Sequence, residues 1–224
     1  MAMHPMPELR QQTPGDAKDR FPGFNVLGEA GTWDAVTAGV VLARLGPPPP
    51  LRYFDVAEEA IARPLLDQLL DQRAEPRVPV LEMIDARLAE AQTDGWHYED
   101  MPTDGQAWRD SLRALDADAR QSFGRGFAEL SWPDQARLIA EMHDLGDKPW
   151  HDLPAARVWS LWTRYAATAF YAHPWAWNEI GFGGPAYPRG YKNLGLDRRE
   201  DWEVPDAHPD RDPIRMTDEG RGDG

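Results

Sequence analysis

Between Phe170 and Tyr191 the chain reads FYAHPWAWNEIGFGGPAYPRGY, and this stretch limits what the protein can fold into more than any other. Trp175, Trp177, Phe182, Tyr187 and Tyr191 are interleaved there with Pro174, Gly181, Gly183, Gly184, Pro185, Pro188 and Gly190. Glycine and proline at that density rule out regular structure beyond the first few residues. Rings at that density are poorly suited to a solvated loop, since each has a large apolar area to cover. The segment must therefore be pinned, either over its own helical bundle near Trp159 or Trp162, or against another protein. If a short helix runs on from His173 to Ile180, Trp175 and Trp177 lie about 200° apart around its axis. One ring then faces inward and the other outward. Trp177, beside Asn178 and Glu179, is expected to be the outward one.

From Thr32 up to this segment the pattern is helical. Residues 1–30 read as a polar arm with Phe21, Phe24 and Val26 as docking points. Thr32 is placed to cap a first helix that ends at Leu45-Gly46, ahead of the proline run 47–50. Asp55 and Glu58 form a capping-box signature for a second helix, which Pro64 should kink or restart. Pro79, Asp104 and Asp116 open further helices. Ser131, followed by Pro133 and Asp134, marks the clearest start of all. The longest apolar helix spans about Pro154 to Tyr171, with Val158, Trp162, Tyr165 and Ala169 on one face and Trp159, Ala166 and Phe170 on a second. Such a helix belongs at the centre of a core. No stretch alternates like a strand. The expectation is an all-α, single-domain irregular bundle over 31–180, an extended aromatic docking segment over 181–203, and a disordered acidic tail over 204–224.

Composition removes several kinds of chemistry. With a net charge of -14 and lysine only at Lys18, Lys148 and Lys192, the chain has no basic surface for nucleic acid. It contains no cysteine, so disulfides, thiol catalysis and iron–sulfur ligation are excluded. No apolar run is long enough to span a bilayer, and no signal peptide or twin arginine is present, so the expected location is cytoplasmic. A periplasmic location follows if the protein is exported with a partner or has lost a signal. His143, His151 and His173, with Glu141 and Glu179, lack the three- or four-residue spacing of helical metal ligands. The Gly181–Gly184 loop follows a helix and is not succeeded by Lys-Ser/Thr, so it is no phosphate cradle. Ser111, Ser122, Ser131 and Ser160 lack the setting of a nucleophile. No catalytic, cofactor-binding or metal residues are assigned in this chain.

These residues identify a resemblance. FYAHPWAWNEIGFGGPAYPRGY resembles the carboxy-terminal signature of the gluconate 2-dehydrogenase subunit 3 family. YFDVAEEAIARPLLDQLLDQ (53–72) and VPVLEMIDARL (78–88) resemble its earlier blocks, and the likeness extends over about 32–203. It implies a helical, non-catalytic small subunit that binds, matures or stabilises a large flavoprotein of the glucose–methanol–choline class. FAD and the oxidation of a sugar or alcohol hydroxyl then belong to the partner. On this reading His173, Pro174, Trp175, Trp177, Asn178, Glu179, Phe182, Tyr187, Arg189 and Tyr191 form the partner interface. The absent signal departs from the family's usual export role, and without cysteine no covalent link to the partner can form. Two other readings stand beside it. One is a small isomerase or lyase with a pocket near His173, Glu179 and Tyr187. The other is a free helical adaptor.

Overall fold

The computed structural model describes residues 20–95, 98–193, 195 and 198–210. The protein is all-α; its only extended pairing among the described residues is a two-residue bridge, Pro149–Trp150 (β1) against Leu153–Pro154 (β2). The chain forms two compact units. One is continuous from Pro47 to Ala172, and the other joins the residues up to Gly46 with those from His173 onward. This division differs from the boundaries read in the sequence, because segments 150 residues apart close on each other to make the second unit.

In the continuous unit, α2 (Val56–Leu69), α3 (Val80–Ala89), α4 (Asp104–Phe123), α5 (Trp132–His143) and α6 (Ala155–Tyr171) pack together, and α6 touches all four of the others. Its buried residues, Val158, Leu161, Trp162, Tyr165, Ala166, Ala169 and Phe170, occupy both faces read as apolar in the sequence. Trp108, Trp162, Tyr165, Leu65, Ile84, Leu112 and Leu115 are all but sealed from solvent. The Trp162 indole donates to Ser111 Oγ at 2.9 Å, and Ser111 donates on to the Trp108 carbonyl. A buried serine hydroxyl therefore satisfies a buried indole and is no nucleophile.

Two of the predicted caps are present. Asp55 and Glu58 exchange hydrogen bonds in a full capping box, and Ser131 caps α5 with Pro133 in the first turn. Two boundaries differ from expectation. The α2 helix runs through Pro64 without a break, since the bundle's packing outweighs the single hydrogen bond that proline removes. The helices expected from Asp104 and from Asp116 are one, α4, which ends at Gly124 with φ +69°. Asp116 sits inside it and accepts from Phe127 N at 2.8 Å.

The entry to α2 hangs on Asp85 of α3, which is 1% exposed. Its carboxylate accepts from the backbone amides of Arg52, Tyr53 and Phe54 at 2.6, 2.8 and 2.9 Å. Losing it strands three donors, each costing about 1–3 kcal/mol when unsatisfied and buried. Asp85→Ala should therefore destabilise the protein by at least about 3 kcal/mol in chemical denaturation, with Asp85→Asn recovering part of the loss.

Candidate functional site

The aromatic segment lies in the discontinuous unit and closes on the amino-terminal residues of the same unit. A 3-10 helix, Val26–Thr32, begins this side of the unit, capped by Asn25, whose Oδ1 accepts from Leu27 N at 3.0 Å. Helix α1 (Ala35–Ala43) follows, capped by Asp34 through the Thr37 amide and not by Thr32. Thr32 instead donates to the Glu29 carbonyl. On the other side stands α7 (Pro174–Glu179), which packs against the 3-10 helix. The Asn178 side chain accepts from Val26 N at 2.8 Å. Val26, Trp33, Val41 and Trp177 form the core of the unit, with Phe24, Leu27, Ala30 and Ala38 packed around them.

This geometry corrects the expectation for the two tryptophans. Trp177 is the inward ring, 5% exposed, and Trp175 is half-buried. The expected helix is there, but its inner face is set by Val26, Trp33 and Val41, and polar neighbours in sequence carry no weight against that apolar surface. Emptying the Trp177 site should cost about 3–5 kcal/mol. Trp177→Ala is expected to show that loss in chemical denaturation, and Trp175→Ala less than half of it.

Each glycine of Gly181-Phe182-Gly183-Gly184 has an aromatic ring against its backbone. A Cβ at Gly181 would lie 2.5 Å from the Phe21 ring, one at Gly183 2.5 Å from Trp202, and one at Gly184 2.6 Å from Trp33. Gly181 and Gly184 also have φ of +65° and +74°. The motif is a track of bare backbone for rings to lie on. Phe182 stands edge-on to Trp177 with centroids 5.5 Å apart, and is 39% exposed.

Arg189 fastens the loop. Its guanidinium donates to the Gly183 carbonyl at 2.6 Å and to Thr32 Oγ1 at 2.7 Å, pairs with Glu29 at 3.2 Å, and lies 3.7 Å over the Trp202 ring. A guanidinium holds this set because its planar fork bonds in-plane while its face stacks. Glu200, 7% exposed, accepts from the amides of Lys192 and Asn193. The tail read as unstructured from Val204 is tied down over 206–208: Arg20 pairs with Asp206, and Ala207 N donates to the Arg20 carbonyl at 2.7 Å. Residues 211–224 lie outside the described residues.

The residues assigned to a partner interface thus separate into two groups. His173, Pro174 and Trp177 are buried, Arg189 is committed internally, and Asn178 braces Val26. Tyr187 and Tyr191 are 68% and 50% exposed, Phe182 is partly so, and Trp175 and Glu179 are half-buried. The sequence-derived interface omits Val36 and Val40 of α1, which are 76% and 53% exposed. They lie three and seven residues from Trp33, the spacing of one helical face, but Trp33 precedes α1 and its ring does not mark that face.

His173 and Glu179 bracket α7, and their environments oppose each other. His173 is 2% exposed; its Nδ1 accepts from Trp175 N at 3.2 Å, and its Nε2 donates to the Arg44 carbonyl at 3.0 Å. Burial holds the imidazole neutral against the opposing pull of the Arg44 carbonyl bond, its pKa pushed down to about 4. The folded chain then takes up this proton later than the unfolded one. Stability from His173 is complete above about pH 6.5 and is lost as pH falls toward 4, by about 3 kcal/mol in all. Glu179 gives the reverse slope: burial pushes its carboxyl up to about 7, so ionising it weakens the fold as pH rises through that range. His173→Asn keeps a capping oxygen without a titrating ring. It should lose less melting temperature than the wild type between pH 7.5 and pH 5.

The other candidate histidines do structural work. The His143 ring lies edge-on to Trp159 with centroids 4.5 Å apart, and His151 Nε2 meets Asp118 Oδ1 at 2.7 Å. Among the described residues no three metal-ligating side chains converge, and no helix is long and apolar enough to cross a membrane.

The family model for gluconate 2-dehydrogenase subunit 3 matches residues 57–184, more than half of the chain. The match spans most of the continuous unit, α7 and the glycine track, and stops short of the 185–203 stretch. No curated protein and no solved structure matches the chain.

Proposed function

Because the chain belongs to the gluconate 2-dehydrogenase subunit 3 family, we propose that it is the accessory subunit of a flavin-dependent dehydrogenase and that its discontinuous unit is the docking module. The family takes its name from one subunit of a multi-subunit dehydrogenase, which implies a partner. The proposed partner is a large flavoprotein of the glucose–methanol–choline class that carries FAD and oxidises a sugar or alcohol hydroxyl. The small subunit binds and stabilises it.

One observation carries this reading. Of the eight large apolar side chains exposed among the described residues, six sit on the smaller unit: Val36, Val40, Ile180, Phe182, Tyr187 and Tyr191. Isolated apolar residues on a surface are ordinary, but a concentration of aliphatic and aromatic ones on one small unit marks an interaction surface. Tyrosine and phenylalanine held on proline–glycine turns are suited to this, since little freedom is lost when they are covered. Helix α1 shows the same character: Ala35, Val36, Gly39, Val40 and Ala43 all face solvent on a helix with no charged residue. A helix apolar on both sides needs cover on both.

The residues named for a small isomerase or lyase do not support that alternative. His173 is sealed and its ring nitrogens are both engaged, while Tyr187 stands out in solvent.

The test is co-expression with a candidate large flavoprotein of this class, followed by purification through a tag on the small subunit. The expected result is a yellow complex, with a colourless small subunit when it is expressed alone. Phe182→Ala/Tyr187→Ala should weaken retention by about 2 kcal/mol or more while shifting the small subunit's own melting temperature little. A flavin spectrum in the isolated small subunit, or loss of fold in the double variant, would contradict the assignment.

A further inference from the structure

Glu179 has no evident reason to be where it is. It is the last residue of α7, where the helix dipole disfavours a negative charge. Its Oε1 is buried and makes no hydrogen bond among the described residues. Desolvation is the one influence acting on its ionisation, with no cation offsetting it. The charged groups on the neighbouring segments are engaged elsewhere: Glu29 with Arg189, Arg189 also with the Gly183 carbonyl and Thr32, Asp34 with the Thr37 amide, and Arg20 with Asp206. A buried acceptor without a donor costs about 1–3 kcal/mol, more when charged. Folding of this chain alone gives nothing in return.

Its surroundings suggest what does. Glu179 is half-buried as a residue, and it adjoins Ile180 and Phe182, 48% and 39% exposed. An anionic acceptor set among partly exposed apolar groups, on a chain of net charge -14, is complementary to a basic side chain projecting from an apolar surface. Resting on the docking role argued above, we propose that Glu179 is the polar anchor of the interface and receives an arginine guanidinium from the large subunit, with Ile180 and Phe182 excluding water around the pair. A guanidinium fits better than an ammonium because it is more weakly hydrated and costs less to bring out of water beside apolar groups.

The proposal separates stability from binding in one residue. Glu179→Gln keeps the shape and removes the charge, so the free subunit should melt at a higher temperature at pH 8 than the wild type. Its hold on the large subunit should fall by about 30-fold or more. Calorimetric titration of the co-expressed, separated subunits at pH 6.5, in buffers of different ionisation enthalpy, reads the charge directly. Wild-type binding should release more than roughly half a proton as Glu179 ionises against the guanidinium, and the Glu179→Gln complex should lack that release. Glu179→Gln binding as tightly as wild type with the same proton release would overturn the anchor while leaving the docking role intact. Failure of the wild-type subunits to associate would instead remove the docking role. Self-association of the small subunit that Glu179→Gln abolishes, measured by sedimentation without the large subunit, would overturn the choice of partner.

Discussion

Three glycines hold the discontinuous unit together. Gly181, Gly183 and Gly184 expose main chain that Phe21, Trp202 and Trp33 lie against, and a methyl group at any of the three would meet a ring atom within 2.6 Å. These three rings come from the start of the described chain, from α1's approach and from the return segment after Gly195. One short track thus gathers segments far apart in sequence. Aromatic faces bury much area against flat backbone at little rotamer cost, which suits a unit with few core side chains of its own. Arg189 completes the arrangement by bonding the loop's carbonyl, pairing with Glu29 and stacking on Trp202.

Polar groups that would attract notice as catalytic candidates are spent on the fold. Ser111 serves the Trp162 indole, Asp118 holds both Trp150 and His151, Asp85 gathers three amides, and His173 caps α7. Each is satisfied by partners within the chain, the usual fate of a buried polar group. Glu179 stands apart from this pattern, being buried at one oxygen and unmatched.

The sequence disclosed the helices and their caps because those signals are local. Asp55 with Glu58, Ser131 with Pro133, and the two-faced apolar pattern of α6 each act within a few residues of themselves. Pro64 was misjudged because a local penalty was weighed without the packing of α2 against α3, α4, α5 and α6. The closure of residues 20–46 on 173–210 was not legible, since it depends on which ring meets which glycine across about 150 residues. Trp177 illustrates the same limit. Helical geometry fixes the angle between it and Trp175 but not which side of α7 the core occupies, and that is decided by Val26, Trp33 and Val41. Even so, the segment's composition foretold that it would be pinned, and it is.

That the same segment is both pinned and partly exposed has a physical rationale. Burying His173, Trp177 and Arg189 fixes the backbone, so Phe182, Tyr187 and Glu179 are presented in set positions before any partner arrives. A pre-set surface loses less freedom on association, leaving more of the apolar area to appear as affinity. In the proposed docking role the apolar residues supply most of the binding energy with little discrimination, since any hydrophobic face could cover them. The carboxylate does the opposite: it adds modest net affinity but penalises every surface that lacks a matching cation. In the proposed docking role that combination is useful, because the orphan charge makes wrong apolar contacts costly.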